Sequence, residues 1–153
     1  MSGKPKWDPI LDSYIAAVQS TIDRETAQKA ANDAKIATLV SNDNADVVLI
    51  RAHLQRQSNS LASNIARLTA KKRRHEDRKY DALSAAEQTI IDEFCGARSH
   101  RCQEMLANST ISITEAKARY EAAKSTMPSP ELIPDSVYDD LTITILQLIG
   151  NGN

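Results

Sequence analysis

The sequence predicts an all-α protein: an elongated antiparallel helical bundle of three long helices, then a Pro-rich linker and a short C-terminal helix. Three observations carry this. Between Ile10 and Met127 the chain has no proline and one glycine, Gly96, whereas a sheet protein needs turn chemistry every ~8–12 residues. That interval is filled with Ala, Lys, Arg, Gln and Glu, all good helix formers. Its apolar residues recur at steps of three and four, the spacing that keeps them on one helix face. With aromatics at 4% of the 153 residues, the core must be aliphatic and alanine-based. The division that follows is an N-terminal arm at 1–8, a helical bundle domain at 9–127, a Pro-rich linker at 128–135, and a docking helix and tail at 136–153.

The first helix is expected from about Pro9 to Val40. Asp8 can cap it, and Pro9 fits the first helical position, where a missing N–H costs nothing. Leu11, Ile15, Val18 and Ile22 lie on one face, and the stripe thins to Ala30, Ala31 and Ala34 before Ile36, Leu39 and Val40. These small residues would let a neighbouring helix come close. Ser41-Asn42-Asp43-Asn44 is a turn, because all four side chains compete for nearby backbone groups. So short a link makes the flanking helices antiparallel neighbours.

The second helix is expected from about Ala45 to Tyr80. Its narrow seam of Ile50, Leu54, Leu61, Ile65 and Leu68 contains two heptad steps, fewer than a coiled-coil assignment needs. Ser84 with Glu87 then forms a capping-box pattern that opens a third helix. From Ile91 through Cys95, Arg98, Cys102, Met105, Ser109, Ser112, Ala116, Tyr120 and Ala123 to Met127 the stripe advances by three or four. Unbroken, this helix is about 43 residues and roughly 65 Å long, and the three-helix assignment takes it so. Ser112 with Glu115 is a second capping box, which leaves a break near Asn108–Ser112 as the alternative. Three prolines end the helical chain at 128–134. Beyond them Val137, Leu141, Ile145 and Leu148 share one face of a short helix, too apolar to stay in water, and are the expected docking residues for a partner or for the bundle itself.

Charge is unevenly distributed. The net charge is −1, yet residues 47–80 carry nine basic and two acidic side chains, while 128–153 carry four acidic and no basic ones. The basic run peaks at Lys71, Lys72, Arg73 and Arg74 and continues at Arg78 and Lys79. It reads as a solvated helix end that offsets the macrodipole, as a phosphate-binding patch, or as an import signal or a contact for an acidic protein or membrane surface. Only Tyr80 lies beside the run, so base stacking is not indicated.

Catalytic patterns are missing. Cys95 and Cys102, seven apart, share a helix face at a separation too great for a disulfide within one helix, and read as core-facing. His100 points elsewhere, so no zinc set forms. Ser99 and His100 are adjacent and diverge, so they make no nucleophile–base pair. His53 reads as packed or interfacial, and Asp92-Glu93 and Asp139-Asp140 as surface acids. No phosphate loop, dinucleotide fingerprint or HExxH occurs. No enzyme, cofactor, metal or small-molecule substrate is implied.

The N-terminus lacks an apolar signal region, and the longest apolar-rich stretch, Leu141–Ile149, is far short of the about twenty residues a membrane span needs. The chain is therefore expected to be intracellular, cytoplasmic or nuclear, and not secreted. The expected function is a structural protein that self-associates or joins a larger helical complex. A nucleic-acid-associated packaging or coat-type protein using 71–79 is the first alternative, and a peripheral membrane or trafficking module the second.

Overall fold

The computed structural model describes residues 2–124. The expectations for the linker at 128–135 and for Val137, Leu141, Ile145 and Leu148 at 136–153 lie outside the described residues. Every described element is helical: α1 (Lys4–Leu39), α2 (Ala45–Asp77), a 3-10 turn (Tyr80–Ala82), α3 (Ala85–Ala97), α4 (His100–Asn108) and α5 (Ile113–Lys124). None of these helices is long and apolar enough to cross a membrane. The chain divides into two units, a hairpin of Tyr14–Arg74 and a helical domain that joins Met1–Ser13 to the chain from His75 onward.

In the hairpin, α1 and α2 run antiparallel. Asn44 caps α2 by accepting the Asp46 N–H at 2.9 Å, and Asn42 accepts the Asn44 N–H at 3.0 Å. The Asn-rich turn thus replaces the missing helical bonds with side-chain acceptors. Arg51 closes the turn by donating to the carbonyls of Leu39 (3.0 Å) and Val40 (2.9 Å) at the end of α1, where helical donors run out.

Residues screened from solvent trace a 4-3 heptad on each helix: Ile15, Val18, Ile22, Glu25, Lys29, Asn32, Ile36 and Leu39 on α1, and Val47, Arg51, Leu54, Ser58, Leu61, Ile65, Leu68 and Lys72 on α2. This is a coiled-coil seam, longer than the two heptad steps legible from Leu54, Leu61 and Leu68. The expected alanine stripe is not part of it: Ala30, Ala31 and Ala34 are exposed, and the seam passes instead through Glu25, Lys29 and Asn32. Long side chains can fill a seam with their stems, so the seam keeps its register through the polar stretch. Lys29 pairs with Asp33 at 2.6 Å. This ammonium first, and the Ser58 hydroxyl of α2 second, hold the Asp33 carboxyl below its ordinary value.

The helical domain departs furthest from expectation. The arm at 1–8 is helical from Lys4, so Pro9 lies inside α1 and Asp8 is not its cap. The Gly3 carbonyl accepts the N–H groups of Lys6 and Trp7, and the Gly3 N–H donates to Asp92 Oδ1 at 2.6 Å. A Cβ on Gly3 would lie 2.8 Å from the Ile91 carbonyl oxygen, so glycine is required by close approach. The hydrogen bond that Pro9 cannot donate is offset by burial of Trp7, Ile10 and Leu11. Asp8 instead accepts the Tyr80 N–H at 2.9 Å.

The third long helix does not form; α3, α4 and α5 replace it. The break at Asn108–Ser112 falls where the second capping box stands, with Ser112 Oγ accepting the Glu115 N–H at 3.1 Å. A further break follows Gly96 and Ala97, where Ser99 Oγ accepts the Cys102 N–H at 3.3 Å and caps α4. Each break rephases the apolar face. Ile90, Ile91, Phe94 and Cys95 are buried on α3, Cys102, Gln103, Leu106 and Ala107 on α4, and Ile113 and Ala116 on α5. Three short helices can each turn a face to one centre, which a single rod cannot.

Arg78 is the hub of this domain. Its side chain is buried, and its guanidinium donates to the carbonyls of Ala107 (3.1 Å), Ser109 (2.5 Å) and Ile111, with Leu106 at 3.5 Å. These are carbonyls of the last turn of α4 and of the α4–α5 loop, where helical donors run out. Its own carbonyl accepts the Trp7 indole N–H at 2.8 Å.

Two outcomes follow. Arg78→Met should destabilise the fold by about 3–5 kcal/mol, since it strands several buried carbonyls. Arg78→Lys should restore only part of this, because an ammonium lacks the planar fork; chemical denaturation of each variant measures both. Because folding lowers the Asp33 pKa, the ionised form is the stabilising one. The stability margin of the wild type over Asp33→Asn should be full at neutral pH and fade as pH falls below the ordinary value of 3.8, read from thermal melts across pH 2–7.

Candidate functional site

Two surface features of the hairpin are candidates for function. The first is a row of cations along α2. Arg56, Arg67 and Arg74 differ by 11 and 7 residues, so they fall within about 20° of one line along the helix, with Lys71 one step aside. His53, Arg56, Arg67 and Arg73 are exposed, and Lys71, Lys72 and Arg74 half-buried. From Val47 to His75 the sequence has seven Lys or Arg and no Asp or Glu. This stretch is a candidate surface for polyanions, since clustered cations with no acid among them attract phosphates whatever the base sequence.

The second feature is apolar. At the closed end of the hairpin Val40, Val48, Leu49 and Ile50 are 64%, 38%, 68% and 52% exposed. Ile50, expected in the seam, lies outside it, because the heptad runs through Val47, Arg51 and Leu54. Within the hairpin only Val18 and Leu68 are buried aliphatics; the other buried residues there are Asn32 and Ser58.

The six sequence-predicted cations therefore separate. Lys71, Lys72, Arg73 and Arg74 belong to the hairpin, with Lys72 in the seam. Arg78 is withdrawn from the surface, its guanidinium spent on backbone carbonyls, a correction of the expected phosphate contact. Lys79 is half-buried in the helical domain and lies 2.8 Å from Asp12 Oδ1, which raises its pKa. Sequence reasoning missed Arg56 and Arg67 as members of the set. The heptad phase was the signal that would have found them, since it assigns them to the outer face.

The remaining chemistry-bearing residues of the sequence lie in the helical domain. Cys95 and Cys102 are buried and form no disulfide, and burial pushes the Cys95 thiol up to about 11, the opposite of an activated nucleophile. Asp92, read as a surface acid, is half-buried and accepts from the Gly3 N–H and from the Tyr80 hydroxyl at 3.1 Å. Glu93 pairs with Lys117 at 3.5 Å. Among the described residues no three His, Cys, Asp or Glu side chains gather into a metal-holding group. Comparison of the chain with protein-family models, with curated proteins and with solved structures finds no match.

Phosphate contacts by Arg56 and Arg67 would each add about 0.9 to the slope of log affinity against log salt on duplex DNA. The double variant Arg56→Gln, Arg67→Gln should flatten that slope by about 1.8, measured by fluorescence anisotropy from low to moderate salt.

Proposed function

We propose that the protein is a non-enzymatic helical assembly protein that associates through its hairpin, with a second copy or with another helical protein. The observation that supports this is the poverty of the hairpin's own core. A two-helix unit that buries two aliphatics, an asparagine and a serine in its seam gains little from burial. Four large aliphatics meanwhile stay in water at its closed end. Helices of this length owe their stability chiefly to packing along an apolar face, so a further surface over the seam margin and the closed end would supply what the hairpin lacks.

A second reading is favoured by the acid-free face of α2: a nucleic-acid-associated structural protein of packaging or coat type, contacting backbone phosphates. The two readings are compatible, because the cations and the exposed aliphatics occupy different parts of the hairpin. Many shallow phosphate contacts become strong only when subunits are joined, through effective concentration.

Light scattering on the full chain should give a mass above the 16.8 kDa of one chain, rising with concentration. Leu49→Glu with Ile50→Glu should return it to monomer while leaving far-UV helicity in place. A monomer at high concentration for the wild type would overturn self-association.

A further inference from the structure

The helical domain contains a cleft that the assembly reading does not use. It has a volume of about 440 Å³ and is lined by Pro5, Lys6, Pro9, Arg98, His100 and Gln103. We propose that this cleft binds the phosphate group of a phosphorylated small molecule.

Three cationic or protonatable side chains converge on it from separate elements, and no carboxylate is among its lining residues. Lys6 projects from the first turns of α1, and its ammonium reaches the Cys95 carbonyl at 3.3 Å, which fixes it over the end of α3. Arg98 stands in extended backbone between α3 and α4. Its guanidinium lies 6.0 Å from the centre of the Phe94 ring and donates to the Ala97 carbonyl at 3.2 Å. His100 opens α4, with its imidazole 3.0 Å from Glu104 one turn on. Gln103 is buried beneath them and donates to the Arg98 carbonyl at 3.2 Å, holding the turn.

The arrangement is therefore built before any ligand arrives. The turn carrying Arg98 is tied at Phe94, Ala97 and Gln103, and α1 is tied to α3 through Gly3 and Asp92. Little ordering is left for binding to supply. A lysine and an arginine lining one cleft suit a dianion better than a carboxylate, and Arg offers paired donors to two oxygens of a phosphate. The proline walls are apolar, which keeps the field of these charges focused in the cleft. The volume falls within the range of small-molecule sites, about 300–1,000 Å³, so an organic group attached to the phosphate has room beside Pro5 and Pro9.

The same phosphate chemistry could come from a free phosphomonoester or from a nucleic-acid backbone. The full-length protein is titrated at constant ionic strength with inorganic phosphate and with a ribonucleoside monophosphate, followed by calorimetry and by NMR shifts of the Arg98 and His100 side chains. Saturable binding is expected, with the two ligands competing. Lys6→Met and Arg98→Gln should each weaken it about tenfold or more, the loss of one charge-assisted contact, with the helical circular-dichroism signal retained. His100→Gln, which leaves the Phe94 contact intact, serves as the second variant should Arg98→Gln unfold, and should weaken binding as well. Displacement of the monophosphate by a single-stranded oligonucleotide assigns the source to a nucleic-acid backbone, and absence of displacement assigns it to a free phosphomonoester; either supports a phosphate site. Linear, non-saturating shifts, or affinities unchanged in the variants, would overturn it.

Discussion

A single buried guanidinium organises the helical domain. Arg78 enters the core at a cost, because a cation removed from water loses its hydration. Fixed carbonyl dipoles at the end of α4 and in the loop to α5 replace that hydration. Those carbonyls would otherwise be the unsatisfied acceptors of a helix terminus. The same contacts hold the loop that carries Ser109 and Ile111 against the end of α2. Through its backbone Arg78 also accepts the indole of Trp7, so the start of α1 and the α4–α5 corner meet at one residue. Removing either the charge or the carbonyls leaves the other group stranded, and for that reason the fold depends on their pairing more than on any one aliphatic contact.

The hairpin is governed by a different constraint. Its heptads are shared between aliphatics and Glu25, Lys29, Asn32, Arg51, Ser58 and Lys72. Polar groups in a coiled-coil seam fix register and orientation at the expense of stability. Here they leave a pair of helices with defined alignment and little buried apolar surface, well suited to receiving further helices. The acid-free stretch of α2 fits the proposed association, because like charges along one helix repel and are best tolerated when a counter-charged partner lies over them.

Much of the hairpin was legible in the sequence. The turn at Ser41–Asn44, the start of α2 and the Ile15–Val18–Ile22 stripe follow from side-chain chemistry and spacing, whereas α2 ends at Asp77, three residues short of the expected Tyr80. The continuation of the α1 seam was not legible, because an apolar criterion follows Ala30, Ala31 and Ala34, while the seam is continued by the stems of Glu25 and Lys29. In the helical domain the capping patterns at Ser84 and Ser112 marked real helix starts. The break before Ser99 was obscured by a stripe that happens to pass smoothly through Arg98. Pro9 misled by fitting a helix start so well; only tertiary burial of Trp7, which spacing cannot show, carries the helix past it. Among the candidate site residues, Lys71–Arg74 lie on the hairpin as a charge count implies. Arg78 went inward for a reason invisible to charge counting: the carbonyls it satisfies are about thirty residues further along the chain.

The lone tryptophan of the chain, Trp7, lies fully buried in the helical domain, while the hairpin contains no second one. Intrinsic emission is therefore a private reporter of one half of the molecule. Its colour and intensity follow the surroundings of the Arg78 carbonyl, whereas ellipticity at 222 nm sums the helices of both units. Superimposable melting curves from the two signals would mean that the continuous α1 rod makes the halves melt as one; a lag between them would separate the two without any label being introduced.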